Sequence, residues 1–209
     1  MGDLVIIGAS AMGREACVYA REVGMPVRGF LDSRPYVLSG FDGYPPVLCA
    51  PEAYIPKADE LFVCAVGDCM QRHRYVDMIA ARGGRFTSIV HPTAYVGFNS
   101  SIGEGSIVCP NATITTDVAV GRHVIVNVAA TVSHDCRIGD YSTLCPGVNL
   151  AGRVSVEAGV FIGTGALLIP DRSVGASAVV GAGAVVIGNV PAGGRVAGNP
   201  ARSISGRRS

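Results

Sequence analysis

The chain has 209 residues, which suits one domain or two small ones. Its 49% hydrophobic content supports a folded core, while 16% charged residues and 28 glycines favour tightly wound β-structure over helical bundles. The formal net charge of +1, the lack of a long apolar run and the lack of a visible signal peptide argue against nucleic-acid and membrane partners, so we expect a cytoplasmic protein.

Residues 1–89 alternate between strand and helix patterns. We predict strands at 4–7, 27–31, 61–66 and 86–90, helices at 14–23 and 70–82, and an irregular Pro- and Gly-rich stretch at 33–56. This order, βαβ, loop, βαβ, predicts a small parallel sheet of Rossmann type.

The turn after the first strand carries a weak nucleotide-binding signal. Gly8 and Gly13 are the first and third glycines of a GxGxxG pattern, and Ser10 takes the middle place. Asp32 follows the second strand at about the spacing of a ribose-binding acid. Because the domain is too short for both halves of a dinucleotide fold, we expect a mononucleotide, the nucleotide part of a sugar substrate. NAD binding and a purely structural turn remain alternatives.

A six-residue period runs through residues 90–186. Every sixth residue is a branched aliphatic, for 17 positions in succession. The set is Val90, Val96, Ile102, Val108, Ile114, Val120, Val126, Val132, Ile138, Leu144, Leu150, Val156, Ile162, Leu168, Val174, Val180 and Val186. Three hexads make a triangular coil of about 18 residues, and stacked coils bury the aliphatic side chains that one coil cannot.

This pattern resembles the left-handed β-helix of hexapeptide-repeat acyltransferases. We therefore predict an α/β N-terminal Rossmann-like small domain at 1–89 and a C-terminal left-handed parallel β-helix, with a tail, at 90–209. A repeat scaffold that only mediates assembly is the structural alternative. A zinc site like that of carbonic anhydrase relatives would need three converging histidines, and none is expected here.

His134 and Asp135 are the candidate catalytic residues. They lie at a predicted corner of a coil, and a step of 18 residues places His134 over Gly152, about 4.8 Å away. An imidazole beside a backbone donor suits acyl transfer, because the base removes a proton from the attacking group while the N–H stabilises the oxyanion. Asp135 would fix the tautomer of His134, but it also lies over Arg153 and could form a plain surface ion pair instead.

Asn127 is a further candidate. The same step places it between Cys109 and Cys145. A stacked asparagine without function is common in β-helices, yet Asn127 is one coil face from His134, and we interpret it as a substrate contact.

The whole chain resembles bacterial sugar acetyltransferases, a family that includes sialic acid O-acetyltransferase and the N-acetyltransferases of UDP-bacillosamine and GDP-perosamine pathways. The resemblance implies a homotrimer, with acetyl-CoA as cosubstrate in the groove between neighbouring helices. It implies His134 as base with Asp135 beside it. The nucleotide contacts that it implies are Ser10, Ala11, Met12, Asp32, Ser33 and Gly67, with Asn127 near the sugar amine. The implied lining of the CoA groove is Thr143, Gly152, Thr164 and Ala182.

The sequence also departs from the family pattern. The first turn lacks a histidine that members often have, and Thr143 stands where a histidine often reaches the cofactor. We expect acetyl-CoA-dependent N-acetylation of a nucleotide-linked amino sugar in surface-glycan biosynthesis, by direct attack on the thioester and without a metal. The alternatives are O-acetylation of a sugar or sialic acid, and a non-catalytic nucleotide-sugar-binding scaffold.

Overall fold

The structure, a computed structural model, describes residues 2–204. Its first part is a five-stranded parallel sheet in the order β3-β2-β1-β4-β5, with one helix packed on each side. The elements are β1 (Leu4–Ile7), α1 (Ala11–Glu22), β2 (Val27–Leu31), β3 (Val47–Cys49), β4 (Leu61–Cys64), α2 (Cys69–Ala80) and β5 (Arg85–Phe86). The predicted Rossmann-type sheet is confirmed.

Several predicted boundaries in this part were wrong. Helix α1 begins three residues earlier than predicted, directly after Ser10. The stretch that we expected to be irregular contains β3 and a 3₁₀ turn at Pro51–Ala53. The single strand predicted at 86–90 is two strands in two different sheets, because the chain leaves the first sheet after Phe86.

The second part is a parallel β-helix with three faces. Face one contains β6 (Ile89–Val90), β9 (Ile107–Val108), β12 (Ile125–Val126), β15 (Thr143–Leu144), β18 (Phe161–Ile162), β21 (Val179–Val180), β23 (Arg195–Ala197) and an antiparallel β24 (Arg202–Ser203). Face two contains β7 (Tyr95–Val96), β10 (Thr113–Ile114), β13 (Thr131–Val132), β16 (Asn149–Leu150), β19 (Leu167–Leu168) and β22 (Val185–Val186). Face three contains β8 (Ser101–Ile102), β11 (Ala119–Val120), β14 (Arg137–Ile138), β17 (Ser155–Val156) and β20 (Ser173–Val174).

The 17 repeated aliphatics explain this architecture. Each is the second residue of a two-residue strand, and strands 18 residues apart pair in register, as Val126 does with Leu144. From Val108 onward these side chains form one buried core, while Val90, Val96 and Ile102 in the first coil are half-buried. The predicted hexapeptide β-helix is therefore confirmed.

Helix α1 joins the two parts. Its buried Ala16 and Ala20 share one apolar cluster with β1 and with Ile89 and Ile107 of face one. The first sheet is thus docked through α1 on face one. Neither helix within residues 2–204 is long and apolar enough to cross a membrane.

Candidate functional site

A pocket of about 410 Å³ opens where β1, β2 and β4 end. The carboxyl ends of parallel strands are the usual binding edge of an open α/β sheet. Of the predicted nucleotide contacts, Ser10, Met12, Asp32, Ser33 and Gly67 line this pocket, and Ala11 does not. The volume lies within the range of small-ligand sites.

Two glycines shape the first turn beside this pocket. Gly8 has φ +94°, a backbone conformation that residues other than glycine rarely adopt. A Cβ at Gly13 would lie 2.0 Å from the carbonyl oxygen of Gly8, so only glycine lets α1 start this close to β1. The Ser10 side chain does not cap the helix, which leaves the N-terminal N–H groups of α1 beside the pocket.

Asp32 is held more tightly than the sequence predicts. Its Oδ2 accepts the N–H of Ala9 and Nη2 of Arg34, and its Oδ1 accepts the N–H and Nε of Arg34, each at 3.0 Å. Burial alone would raise the pKa of Asp32, but these bonds outweigh it and lower the pKa below its ordinary value. The predicted ribose acceptor is therefore already occupied by Arg34.

Sequence reasoning missed several residues of the pocket wall. Arg34, Pro51, Asp68, Gln71 and Tyr75 also line it. Gln71 and Tyr75 are four residues apart on α2, so they lie on one helix face. The four-residue spacing of Gln71 and Tyr75, on a helix that begins just after Gly67, is a sequence signal from which both could have been predicted.

The imidazole of His134 lies at the corner between faces two and three. Its Nδ1 is 2.7 Å from Oδ2 of Asp135, and both side chains are about half exposed. Arg153 bonds to Asp171 instead, with Nε 2.6 Å from Oδ1, so the competing ion pair with Asp135 does not form. With Nδ1 on the carboxylate, Nε2 is the ring nitrogen available as a base.

The ring of His134 lies directly over Gly152. A Cβ at Gly152 would be 2.6 Å from both Cε1 and Nε2 of the imidazole. The predicted stacking of His134 over Gly152 is confirmed, and the imidazole occupies the place that a side chain at residue 152 would take.

The predicted CoA and sugar contacts do not all lie beside His134. Asn127, Thr164 and Ala182 lie at the corner between faces one and two, where Thr164 and Ala182 are exposed. Asn127 is half-buried, and its Oδ1 accepts the N–H of Val128. In one subunit these residues are separated from His134 by the width of face two.

Thr143 does not line a groove in this structure, which corrects its predicted role. It is 3% exposed on face one, covered by α2. Its hydroxyl lies 3.2 Å from the carbonyl oxygen of Gly67 and 2.9 Å from Nη2 of Arg72, so it binds the first part of the chain.

Three comparisons place the chain among known proteins. The PglD N-terminal domain family matches residues 3–79. GDP-perosamine N-acetyltransferase of Escherichia coli O157:H7 is 39% identical over 158 residues, which cover 71% of this chain and 70% of that protein.

Two solved structures match almost the whole chain. The acetyltransferase domain of PglB from Neisseria gonorrhoeae is 32% identical with a TM-score of 0.90, covering 98% of this chain and 100% of that one. PerB from Caulobacter crescentus, in complex with CoA and GDP-perosamine, is 31% identical with a TM-score of 0.90, covering 98% of each chain. The chain therefore belongs to the hexapeptide-repeat sugar acetyltransferases and is an acyltransferase.

Proposed function

We propose that this enzyme transfers the acetyl group of acetyl-CoA to the amino group of a nucleotide-linked amino sugar in surface-glycan biosynthesis. The observation that carries the proposal is the His134–Asp135 pair at an exposed corner, with the imidazole over Gly152. The pocket in the first part of the chain supports it, as do relatives whose structures hold GDP-perosamine with CoA, or acetyl-CoA.

The chemistry needs one base and one oxyanion donor. The sugar amine attacks the thioester carbonyl, and Nε2 of His134 removes the proton from the new ammonium group. The backbone N–H of Gly152 stabilises the negative oxygen of the tetrahedral intermediate. The C–S bond then breaks, an amide is formed, and the thiolate of coenzyme A leaves with the proton returned from His134. Asp135 keeps Nδ1 protonated, so that Nε2 stays available.

Three copies of the chain complete the site in this proposal. The nucleotide pocket belongs to the part docked on face one, whereas His134 lies at the corner that does not border face one. One subunit therefore holds nucleotide and base on opposite sides. A homotrimer packed through face two brings the corner with Asn127, Thr164 and Ala182 of one subunit next to the His134 corner of its neighbour.

Each part of the chain has its own task in this arrangement. Residues 1–89 bind the nucleotide through the turn at Ser10 and through Met12, Ser33 and Gly67. Residues 90–209 carry out the transfer. Acetyl-CoA lies in the groove between neighbouring subunits, along Gly152 on one side and Thr164 and Ala182 on the other.

The test is a panel of UDP-, GDP- and dTDP-linked amino sugars incubated with acetyl-CoA and followed by mass spectrometry. We expect one added acetyl group on an amine of one member. Acetylation of hydroxyl groups only, or no transfer to any member, would contradict the proposal.

A pair of histidine variants separates catalysis from binding. His134→Ala should lower kcat by about 100- to 10,000-fold, the usual contribution of a general base. His73→Ala is the matched control, because His73 is half-exposed on α2, where it pairs with Asp77 and stacks on Tyr141, and it does not line the pocket. Equal activity of the two variants would remove His134 from the mechanism.

A further inference from the structure

The carboxylate of Asp32 has no acceptor site left for a ligand. An ionised carboxylate offers about four lone-pair sites. In this structure two N–H groups donate to Oδ1 and two to Oδ2, and all four donors come from Ala9 and Arg34. A ribose hydroxyl that donated to Asp32 would first have to displace Arg34.

Within residues 2–204, no protein group accepts a hydrogen bond from the outer donors of Arg34. Nε and one N–H of Nη2 lie along one side of the guanidinium and donate to the carboxylate of Asp32. The end of the guanidinium still presents parallel N–H groups on Nη1 and Nη2. The side chain is 65% exposed and lines the pocket. The two side-chain hydrogen bonds that Arg34 donates to Asp32 fix the plane of the guanidinium before any ligand binds, which lowers the entropy cost of binding.

Two parallel N–H donors suit a ligand with two adjacent acceptors. The N-terminus of α1, at the end of β1, is the natural place for the phosphates. Arg34 follows the neighbouring strand β2, so it meets the nucleoside end of the ligand. Guanine offers O6 and N7 side by side, and arginine binds this edge in a bidentate manner. Adenine presents an amino donor where guanine has O6.

We propose that Arg34 reads the base of the nucleotide sugar and selects guanine over adenine, and that Asp32 is a positioning residue acting through Arg34. This inference rests on the proposed function, because it assumes that the pocket holds a nucleotide. It assigns the ligand contact at the end of β2 to the guanidinium and not to the carboxylate.

The first test is the binding of GDP, UDP and ADP to the full-length protein by isothermal titration calorimetry. Arg34→Gln should weaken GDP binding by about 10- to 100-fold, the usual value of one bidentate base contact, and leave ADP binding unchanged. Arg74→Gln is the control, since Arg74 is an exposed arginine of the same domain that does not line the pocket.

The outcomes distinguish three cases. Equal weakening of all three nucleotides would mean that Arg34 binds phosphate and would overturn base selection. No change in GDP affinity would overturn the inference while leaving the proposed function intact. A wild-type protein that binds none of the nucleotides would overturn the proposed function itself.

The second test separates positioning from direct contact for Asp32. Asp32→Asn alone should weaken GDP binding about as much as Arg34→Gln does. If Asp32 acts through Arg34, the Arg34→Gln/Asp32→Asn double variant should bind GDP within about twofold of Arg34→Gln alone. A further loss of about tenfold in the double variant, with an unchanged unfolding temperature, would mean that Asp32 contacts the ligand and would overturn its positioning role.

Discussion

At the scale of single residues, the position of His134 depends on the missing side chain at residue 152. The imidazole has Cε1 and Nε2 at 2.6 Å from where a Cβ would stand. Gly152→Ala should therefore push the ring away and lower kcat by about 10- to 100-fold, because a displacement of about 1 Å at the reacting atoms has this effect. The fold should remain, since the end of an exposed side chain moves at little cost.

Steady-state kinetics and thermal unfolding together check this expectation. Gly188→Ala is the matched control, because Gly188 is exposed and a Cβ there meets nothing within 4 Å. A Gly152→Ala enzyme with full kcat would show that the imidazole does not need its present place for catalysis.

The sequence predicts part of this corner and leaves part open. The 18-residue period is enough to place His134 over Gly152, because pairing along the β-helix is in register. It cannot decide the partner of Asp135, because Arg153 has aspartates one coil away on both sides, at 135 and 171. Only the side-chain geometry shows that Arg153 bonds to Asp171 and leaves Asp135 to His134.

At the scale of elements, one buried arginine joins α2 to the β-helix. The guanidinium of Arg72 is fully buried and donates to the carbonyl oxygens of His123 at 2.9 Å, Val66 at 2.6 Å and Tyr141 at 2.5 Å. No carboxylate lies within ion-pair distance of Arg72 in the part of the chain that the structure describes. The charge is held by carbonyl dipoles of both parts of the chain.

Replacing Arg72 should loosen this joint. Arg72→Met leaves several buried carbonyls without a donor, at about 1 to 3 kcal/mol each, so we expect a loss of at least about 3 kcal/mol. That corresponds to a fall in Tm of about 6–12 °C for a chain of this size. Calorimetry checks it against Arg74→Met, an exposed change on the same helix, and similar Tm values for both variants would contradict it.

A contact between β5 and the β-helix responds to pH. The ring of His123 lies between Phe86 and Tyr141, with Nδ1 unpaired within residues 2–204. Burial, and then the charges of Arg122 and Arg72, lower the pKa of His123 from 6.5 to about 4. The unfolded chain therefore binds this proton at a higher pH than the folded chain, so stability is full above about pH 6.5 and falls as the pH drops toward 4.

Urea unfolding at pH 7.5 and pH 5 measures this effect. His123 should account for about 2 kcal/mol of the loss between these two values. Asparagine removes the titration and tolerates the positive φ of 54° at this position. The pH-dependent loss should thus be about 2 kcal/mol smaller in His123→Asn than in the wild type, and an equal loss in both proteins would assign the acid response to other groups.

The contacts between elements also explain why some predictions failed. Alternation along the hexad marks Thr143 as pointing outward, which is correct, but it does not show that α2 covers that position. In the same way, Phe86 and Ile89 read as one apolar strand, although they belong to different sheets. Local pattern determines which side chains point inward, whereas docking between the two parts decides which outward side chains remain exposed.

At the scale of the whole molecule, the placement of pocket and base predicts shared sites. The pocket belongs to the part docked on face one, while His134 lies at the opposite corner. A pocket-blocking variant is available at Gly67, which lines the pocket and where a Cβ meets nothing within 4 Å, so Gly67→Phe should fill the pocket without disturbing the fold.

Co-expression of Gly67→Phe with His134→Ala tests whether neighbouring subunits share a site. Each variant alone should be inactive, because every site lacks either its pocket or its base. In every mixed trimer one site joins the open pocket of a His134→Ala subunit to the intact His134 of a Gly67→Phe subunit, so about a third of the sites are complete. We therefore expect about a third of wild-type activity from mixed trimers purified through different tags, with mass photometry to verify three subunits. Activity no higher than that of the single variants would mean that each chain contains its own complete site.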